Sequence, residues 1–171
     1  ISDAKLEAAV AIGHLDWAAK NAEKVLKIQP RPSGILFANI RSQVEHVPVG
    51  VVGVIGPWNY PMHTPMGSIS YALAAGNTVV FKPSEYTPGV GVYLAQSFID
   101  SSLLADVFTC VTGLGETGKY LCESSVDKLA FTGSTRTAKI VAATCAAHMT
   151  PVVLECGGKD PVIVAHDADI K

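Results

Sequence analysis

The chain has 171 residues and a net charge of -2, a length that suits one domain with a substantial core. Charged residues make up 16 % and AVILMFWYC residues 49 %, against roughly 25 % charged in an average soluble domain, so part of the surface is expected to lie against more protein, another chain or a further part of this one. No Lys/Arg cluster exists, which argues against nucleic acid or an anionic membrane as partner.

In chain order, residues 3–28 place Leu6, Val10, Leu15, Trp17, Ala18, Val25, Leu26 and Ile28 at helical intervals, predicting one or two amphipathic helices. The first residues, ISDAKLEAA, carry acids where a secretory leader needs a basic start and an apolar centre. The longest apolar run, 47–58, is too short and too interrupted by Pro and Gly to span a bilayer. A cytoplasmic protein is therefore expected. Pro30-Arg31-Pro32-Ser33-Gly34 breaks the helical lead-in, and 41–47 begins an extended approach to a hydrophobic strand at 51–55. A helix at 63–75 follows the loop GPWNYP and stops at Gly76-Asn77, a favourable C-terminal signal.

The pattern then repeats: strand 78–81, helix 88–101, strand 106–111, helix 116–123, strand 128–131, helix 134–147, and strands 151–154 and 161–164. Short apolar strands alternating with helices predict an α/β fold with a mostly parallel, doubly wound sheet covered on both faces. Ligands in such sheets bind beyond the carboxyl ends of the strands. Residues just after strands are therefore the candidates for function.

Gly113-Leu114-Gly115-Glu116-Thr117-Gly118 satisfies GxGxxG between a strand and a helix. A dinucleotide unit also needs an acidic residue ending the next strand, and that strand runs instead into Thr132-Gly133-Ser134, so a tight turn is favoured. Phe131-Thr132-Gly133-Ser134-Thr135 is the better phosphate candidate, since a Gly permits close backbone approach and Ser134 or Thr135 caps a helix whose amides favour an anion. An ordinary strand–turn–helix cap would look the same. Lys82 and Glu85 in Lys82-Pro83-Ser84-Glu85 read equally as ribose ligands or as a solvated pair. Glu155, ending a strand before two glycines, reads as a general base in a partly apolar place or as an exposed strand-end carboxylate. Cys110, Cys122, Cys145 and Cys156 form no CxxC and no metal-like spacing, so reduced thiols and no metal site are expected, with Cys156 as buried filler. His148 and His166 have no motif partner and read as surface or boundary residues.

Taken together and in order, GPWNYP, FKPSE, FTGST and LECGGKDP strongly resemble motifs of the aldehyde dehydrogenase superfamily. The resemblance covers nearly the whole chain and is firmest from Val47 to Asp169. It implies the Rossmann-like cofactor fold of that family, with 1–46 a helical lead-in and start of strand and 47–171 the NAD-binding domain. Asn59 matches the carboxamide that donates to the substrate oxyanion, held by a loop that Pro57, Pro61, Trp58 and Tyr60 restrict. Glu155 matches the general base that activates the water for deacylation. Ile55, Pro57, Trp58, Lys82, Ser84, Glu85, Gly133 and Ser134 match the cofactor contacts, with Lys82 and Glu85 on the adenosine ribose and Gly133 and Ser134 on the pyrophosphate. Glu85 favours NAD, with NADP possible. The implied reaction is oxidation of an aldehyde to a carboxylic acid through a Cys thioester. Trp58, Tyr60, Met62 and Met66 near the loop imply tolerance of an apolar aldehyde, and the complete protein is expected to be a homo-oligomer.

One departure is serious. The family's nucleophilic Cys lies further along, on a different domain, and none of the four cysteines present matches it. Asp167-Ala168-Asp169 resembles the acidic first turn of a helix without a body. The expectation is an N-terminal, cofactor-binding portion of a longer enzyme. The competing readings are a non-catalytic nucleotide-binding module of the same fold, and a conventional Rossmann dehydrogenase using GLGETG as its fingerprint.

Overall fold

The computed structural model describes residues 2–101 and 106–169. The lead-in is one helix, α1 (Ser2–Leu26), with Asp3 in its first turn and Lys24 in its last, both favourable to the helix dipole. Its buried side chains are Ala11 and Ala18, at 2 % and 4 % exposure, and their small size lets α1 lie close against a second helix. The larger apolar residues stand outside, Leu6 at 65 %. Next comes a hairpin absent from the expected elements: β1 (Gln29–Arg31) pairs antiparallel with β2 (Ser42–Val44). Pro30 is tolerated there because both strands of a two-stranded sheet are edges. Ser33 Oγ closes the loop, donating to Ile40 O at 2.6 Å and lying 2.9 Å from Ser42 Oγ.

The main sheet contains β3 (Val51–Ile55), β4 (Thr78–Lys82), β5 (Phe108–Cys110), β6 (Lys128–Gly133) and β7 (Val152–Cys156), all parallel in the order β5-β4-β3-β6-β7. Helices α2 (His63–Ala74) and α3 (Pro88–Asp100) connect β3 to β4 and β4 to β5. Helices α4 (Gly115–Glu123) and α5 (Thr135–Ala147) connect β5 to β6 and β6 to β7. Right-handed crossovers send the two pairs to opposite faces, because the strand order reverses between β3 and β6. Two cores result. Val52, Val54, Val79 and Phe81 pack with Met66, Ile69, Leu94 and Ala11 on one side. Leu129 and Phe131 pack with Leu121, Cys122, Val141 and Cys145 on the other. Gly53 is the small residue that admits Leu129, whose Cδ1 lies 2.6 Å from where a Cβ would sit.

Buried polar groups fix the strand starts. Asn77 Oδ1 accepts from Val49 N at 2.7 Å and Gly50 N at 3.0 Å, while its Nδ2 donates to Ala72 O at 2.9 Å. Asp127 Oδ2 accepts from Val51 N at 2.7 Å, tying the start of β3 to the residue before β6. The stop at Gly76-Asn77 holds: Gly76 has φ 84°, and the Gly76 and Asn77 amides donate to Leu73 O at 2.9 Å and Ala72 O at 3.0 Å, the Schellman pattern. The same pattern ends α5, but with Met149 in the left-handed position at φ 57°.

Two expectations need correction. Residues 161–164 form no strand, and Ile163 is 90 % exposed. β7 is the edge of the sheet, and among the described residues no strand lies beyond it to pair with this segment. Cys156 is exposed and not buried filler, because it sits at the last position of that edge strand.

Candidate active site

The sheet register builds the site. Ile55 pairs with Lys82 on one side and Phe131 on the other, and Phe131 pairs with Leu154. Lys82 and Ile55, the last residues of β4 and β3, therefore lie in one row with Phe131 and Leu154, past which β6 and β7 run two residues further to Gly133 and Cys156, and the four motifs gather at this carboxyl edge. Around this edge lies a cavity of about 910 Å³ lined by all ten candidate residues: Ile55, Pro57, Trp58 and Asn59; Lys82, Ser84 and Glu85; Gly133 and Ser134; and Glu155. It spans the point where the strand order reverses, the place where doubly wound folds bind ligands.

Asn59 is exposed on the GPWNYP loop. The loop is tied at its start by Gly56 N, which donates to Lys82 O at 3.0 Å, and at its end by the first turn of α2, where Thr64 N donates to Tyr60 O at 3.2 Å. Met66 does not face this loop's ligand side; it is 2 % exposed in the core, and Met62 packs against the same core. These two methionines therefore give no support for an apolar aldehyde.

Lys82 is 3 % exposed, an unusual place for an ammonium group. Burial lowers its pKa from the ordinary 10.5, opposed by the Glu85 carboxylate, whose Oε2 lies 4.0 Å from Nζ. Nζ donates to Pro83 O at 2.8 Å. This is not a solvated surface pair: the cation is held under the cavity floor while Glu85 is exposed at its rim. Ser84 is buried, and its Oγ accepts from Tyr86 N at 3.3 Å.

Ser134 is the N-cap of α5, its Oγ accepting from Thr137 N at 3.2 Å, so the helix start lies at the cavity wall with its dipole favouring an anion. The backbone at Gly133 has no Cβ for a specific reason: one would sit 2.7 Å from Phe131 Cζ. Glu155 pairs across the sheet with Thr132, and Cys156 with Gly133. Glu155 is exposed on the cavity wall.

The GLGETG stretch does two things. Gly113, at φ 150°, makes the turn, and Gly118 on α4 lies against the Lys82 stem, 3.6 Å separating Lys82 Cδ from a Cβ built there. Gly115 and Gly118 line the cavity, as do Thr137, Ile140 and Thr144 of α5, which sequence reading missed. Their recurrence every three or four residues after Gly133 was the available signal. Cys122 also reaches the wall, but burial and the neighbouring Cys145 push its thiol up to about 11. Burial likewise raises Cys110 and Cys145, so these three remain thiols and poor nucleophiles. Among the described residues no group of His, Cys, Asp and Glu is arranged to hold a metal ion.

Comparison with known proteins agrees with this architecture. Phenylacetaldehyde dehydrogenase of Pseudomonas fluorescens is 41 % identical over 156 residues, which cover 90 % of this chain and 30 % of that protein. The solved structure of an NAD-dependent aldehyde dehydrogenase from Sinorhizobium meliloti superposes with TM-score 0.85 at 34 % identity, covering 93 % of this chain and 32 % of that one. An NADP-dependent enzyme of E. coli gives TM-score 0.85 at 34 % identity, covering 92 % and 32 %. The chain thus spans about a third of the length of these proteins. The aldehyde dehydrogenase family model matches residues 1–171, so the chain belongs to the aldehyde dehydrogenase family.

Proposed function

We propose that this chain supplies the cofactor site, the oxyanion donor and the general base of an enzyme that oxidises an aldehyde to a carboxylic acid with NAD. The observation that carries the proposal is the row of strand ends that brings Asn59, Lys82, Gly133, Ser134 and Glu155 around one cavity. The cavity fits a dinucleotide at both of its charged and polar ends. The α5 N-terminus with Gly133 and Ser134 suits a pyrophosphate, and Lys82 with Glu85 suits ribose hydroxyls. The negative Glu85 at the rim favours an unphosphorylated ribose, hence NAD over NADP.

NAD, when bound, supplies the hydride acceptor. The remaining chemistry falls to side chains. Asn59 donates from its carboxamide to the oxygen of the reacting carbonyl as negative charge develops there. Glu155 takes a proton from the water that releases the acid from a cysteine thioester, whose sulfur belongs to a part of the natural protein outside this chain. Residues from Val47 onward form the NAD-binding unit in this reading, with 1–46 as its lead-in.

The setting of the protein is read from the same surface. The exposed apolar residues of the lead-in and hairpin, among them Leu6, Ile35 and Leu36, suit coverage by a further domain or a second copy, and we infer a homo-oligomer. All four cysteines are unpaired, which fits the cytoplasmic location we infer. No described helix is long and apolar enough to cross a membrane.

The test uses the natural protein, with phenylacetaldehyde as first probe and NADH absorbance as readout. Asn59→Ala is expected to lower kcat roughly 100-fold with unchanged NAD affinity. An unchanged kcat would remove Asn59 from the mechanism. Binding of NAD without any aldehyde-dependent NADH would instead favour a non-catalytic module. Its intact mass, set against the 17.9 kDa of this chain, decides whether a catalytic Cys can follow.

A further inference from the structure

The loop that carries Asn59 must hold its carboxamide still, yet among the described residues no group hydrogen-bonds the Asn59 side chain itself. The loop is therefore positioned from its ends. Its far end is the N-terminus of α2, where helix geometry leaves the first N–H groups without partners. The N-cap is Met62, which offers no side-chain acceptor. The acceptor comes instead from α1. Glu7 Oε1 accepts from Met62 N at 2.7 Å and from His63 N at 3.1 Å, across more than fifty residues of sequence. Among the described residues it is the one side chain hydrogen-bonded to the stretch 57–63.

The helix that brings Glu7 there is itself well seated. Glu7, Ala11, His14 and Ala18 recur every three or four residues and so form one stripe of α1. Ala11 and Ala18 are buried. His14 Nδ1 shares a 2.9 Å hydrogen bond with Tyr71 of α2, and the His14 ring stacks on His63 with centroids 5.6 Å apart. A carboxylate at a helix N-terminus is further stabilised by the helix dipole. The half-buried Glu7 therefore clamps the backbone three residues after Asn59, opposite the anchor that Gly56 makes with Lys82.

From this geometry we infer that Glu7 is a positioning residue, which sets the Asn59 carboxamide for the oxyanion by capping α2 from the neighbouring helix. The inference rests on the oxyanion role proposed for Asn59. Without the cap the Met62 and His63 amides turn to water, and the loop end loses its fixed point while the cofactor floor at Lys82, on another strand, is untouched.

The test is a double-mutant cycle in the natural protein with the aldehyde it turns over best. Glu7→Ala is expected to lower kcat about 10-fold, as a small displacement of a catalytic group does, with the NAD dissociation constant within about two-fold of the parent. Glu7→Gln, whose carboxamide oxygen still accepts both N–H groups, is expected to restore most of kcat. Adding Glu7→Ala to Asn59→Ala is expected to cost nothing further, because Glu7 acts through Asn59. Should Glu7→Ala not fold, Glu7→Asp, which keeps the charge but withdraws the acceptor by one methylene, takes its place under the same criteria. A normal kcat in the Glu7 variant beside a slow Asn59→Ala overturns this inference alone, and so do independent, multiplicative losses in the double variant. A normal kcat in Asn59→Ala overturns the oxyanion reading and this inference with it.

Discussion

Replacing Lys82 by Met separates what the buried ammonium does for the fold from what it does for a ligand. Met keeps most of the length and volume of the stem that lies along Gly118 and removes only the charged tip. Three terms change. The 2.8 Å bond to Pro83 O is lost, a net cost of about 1–3 kcal/mol once that carbonyl is left without its donor. The 4.0 Å contact with Glu85 goes too, worth at most a few tenths because the Glu85 side chain is 41 % exposed. Against these stands relief of the desolvation that lowers the Lys82 pKa. The terms oppose one another, so Lys82→Met is expected to unfold within about 1 kcal/mol of the parent, whereas Lys82→Ala leaves a cavity and costs about 2–4 kcal/mol.

A pH signature accompanies this. Between the lowered folded value and the ordinary 10.5, the unfolded chain holds a proton that the folded chain has released. Stability therefore rises with pH across that interval, and below it both states are protonated and the folded one carries the whole desolvation cost. Lys82→Met should lack this rise. Its NAD dissociation constant should nevertheless increase about 10- to 100-fold, the loss of one charge-assisted hydrogen bond. Urea unfolding across alkaline pH, followed by tryptophan fluorescence, and a cofactor titration measure both. A Lys82→Met variant with unaltered NAD affinity, or one that loses more than about 2 kcal/mol of stability, refutes the reasoning.

The other predictions concern single groups. Glu155→Gln should leave a pre-steady-state burst of NADH and slow the turnover that follows by roughly 100-fold; a normal steady state in stopped-flow and continuous assays would remove Glu155 as the base. Asn77→Ala strips the partners from Val49 N and Gly50 N and should cost about 3 kcal/mol in urea unfolding, a value under about 1 kcal/mol contradicting the clamp. Met149→Gly relieves a left-handed residue at φ 57° and should add up to about 1 kcal/mol without changing kcat.

Much of the sheet could be read because buried parallel strands are continuous apolar runs closed by Gly, Pro and Asn. Val51–Ile55 and Lys128–Gly133 are such runs, and the Gly76-Asn77 stop is chemically explicit. The hairpin escaped because its strands are three residues each and one contains Pro30, so neither periodicity nor composition marks it. The segment 161–164 misled for the opposite reason. Its β-branched, apolar composition suits a strand, but a strand exists only where a neighbour accepts its hydrogen bonds. The strand-end motifs were legible because each carries an unusual residue directly after an apolar run. The α5 wall was not, since Thr137, Ile140 and Thr144 read as an ordinary helix surface. Glu7 was less legible still: a lone carboxylate near a helix start looks solvated until the fold brings a second helix to it.

The spatial order of the motifs differs from their order in the chain, and this difference is what makes one site of them. Along the sequence they come with β3, β4, β6 and β7, but across the sheet the paired row runs Lys82, Ile55, Phe131, Leu154. The reversal between β3 and β6 sends α2 to one face and α5 to the other. The loop bearing Asn59 and the helix start bearing Ser134 therefore leave adjacent strands in opposite directions and open a crevice between them. In the proposed function binding and catalytic groups alternate across the sheet, since Lys82, Asn59, Ser134 and Glu155 belong in turn to β4, the loop after β3, the helix start after β6 and β7. On that reading the Glu7 cap on α2 acts on the chemical step and the Ser134 cap on α5 on cofactor binding. Glu7 variants should accordingly move kcat and leave NAD affinity alone, and Lys82 variants should move NAD affinity first.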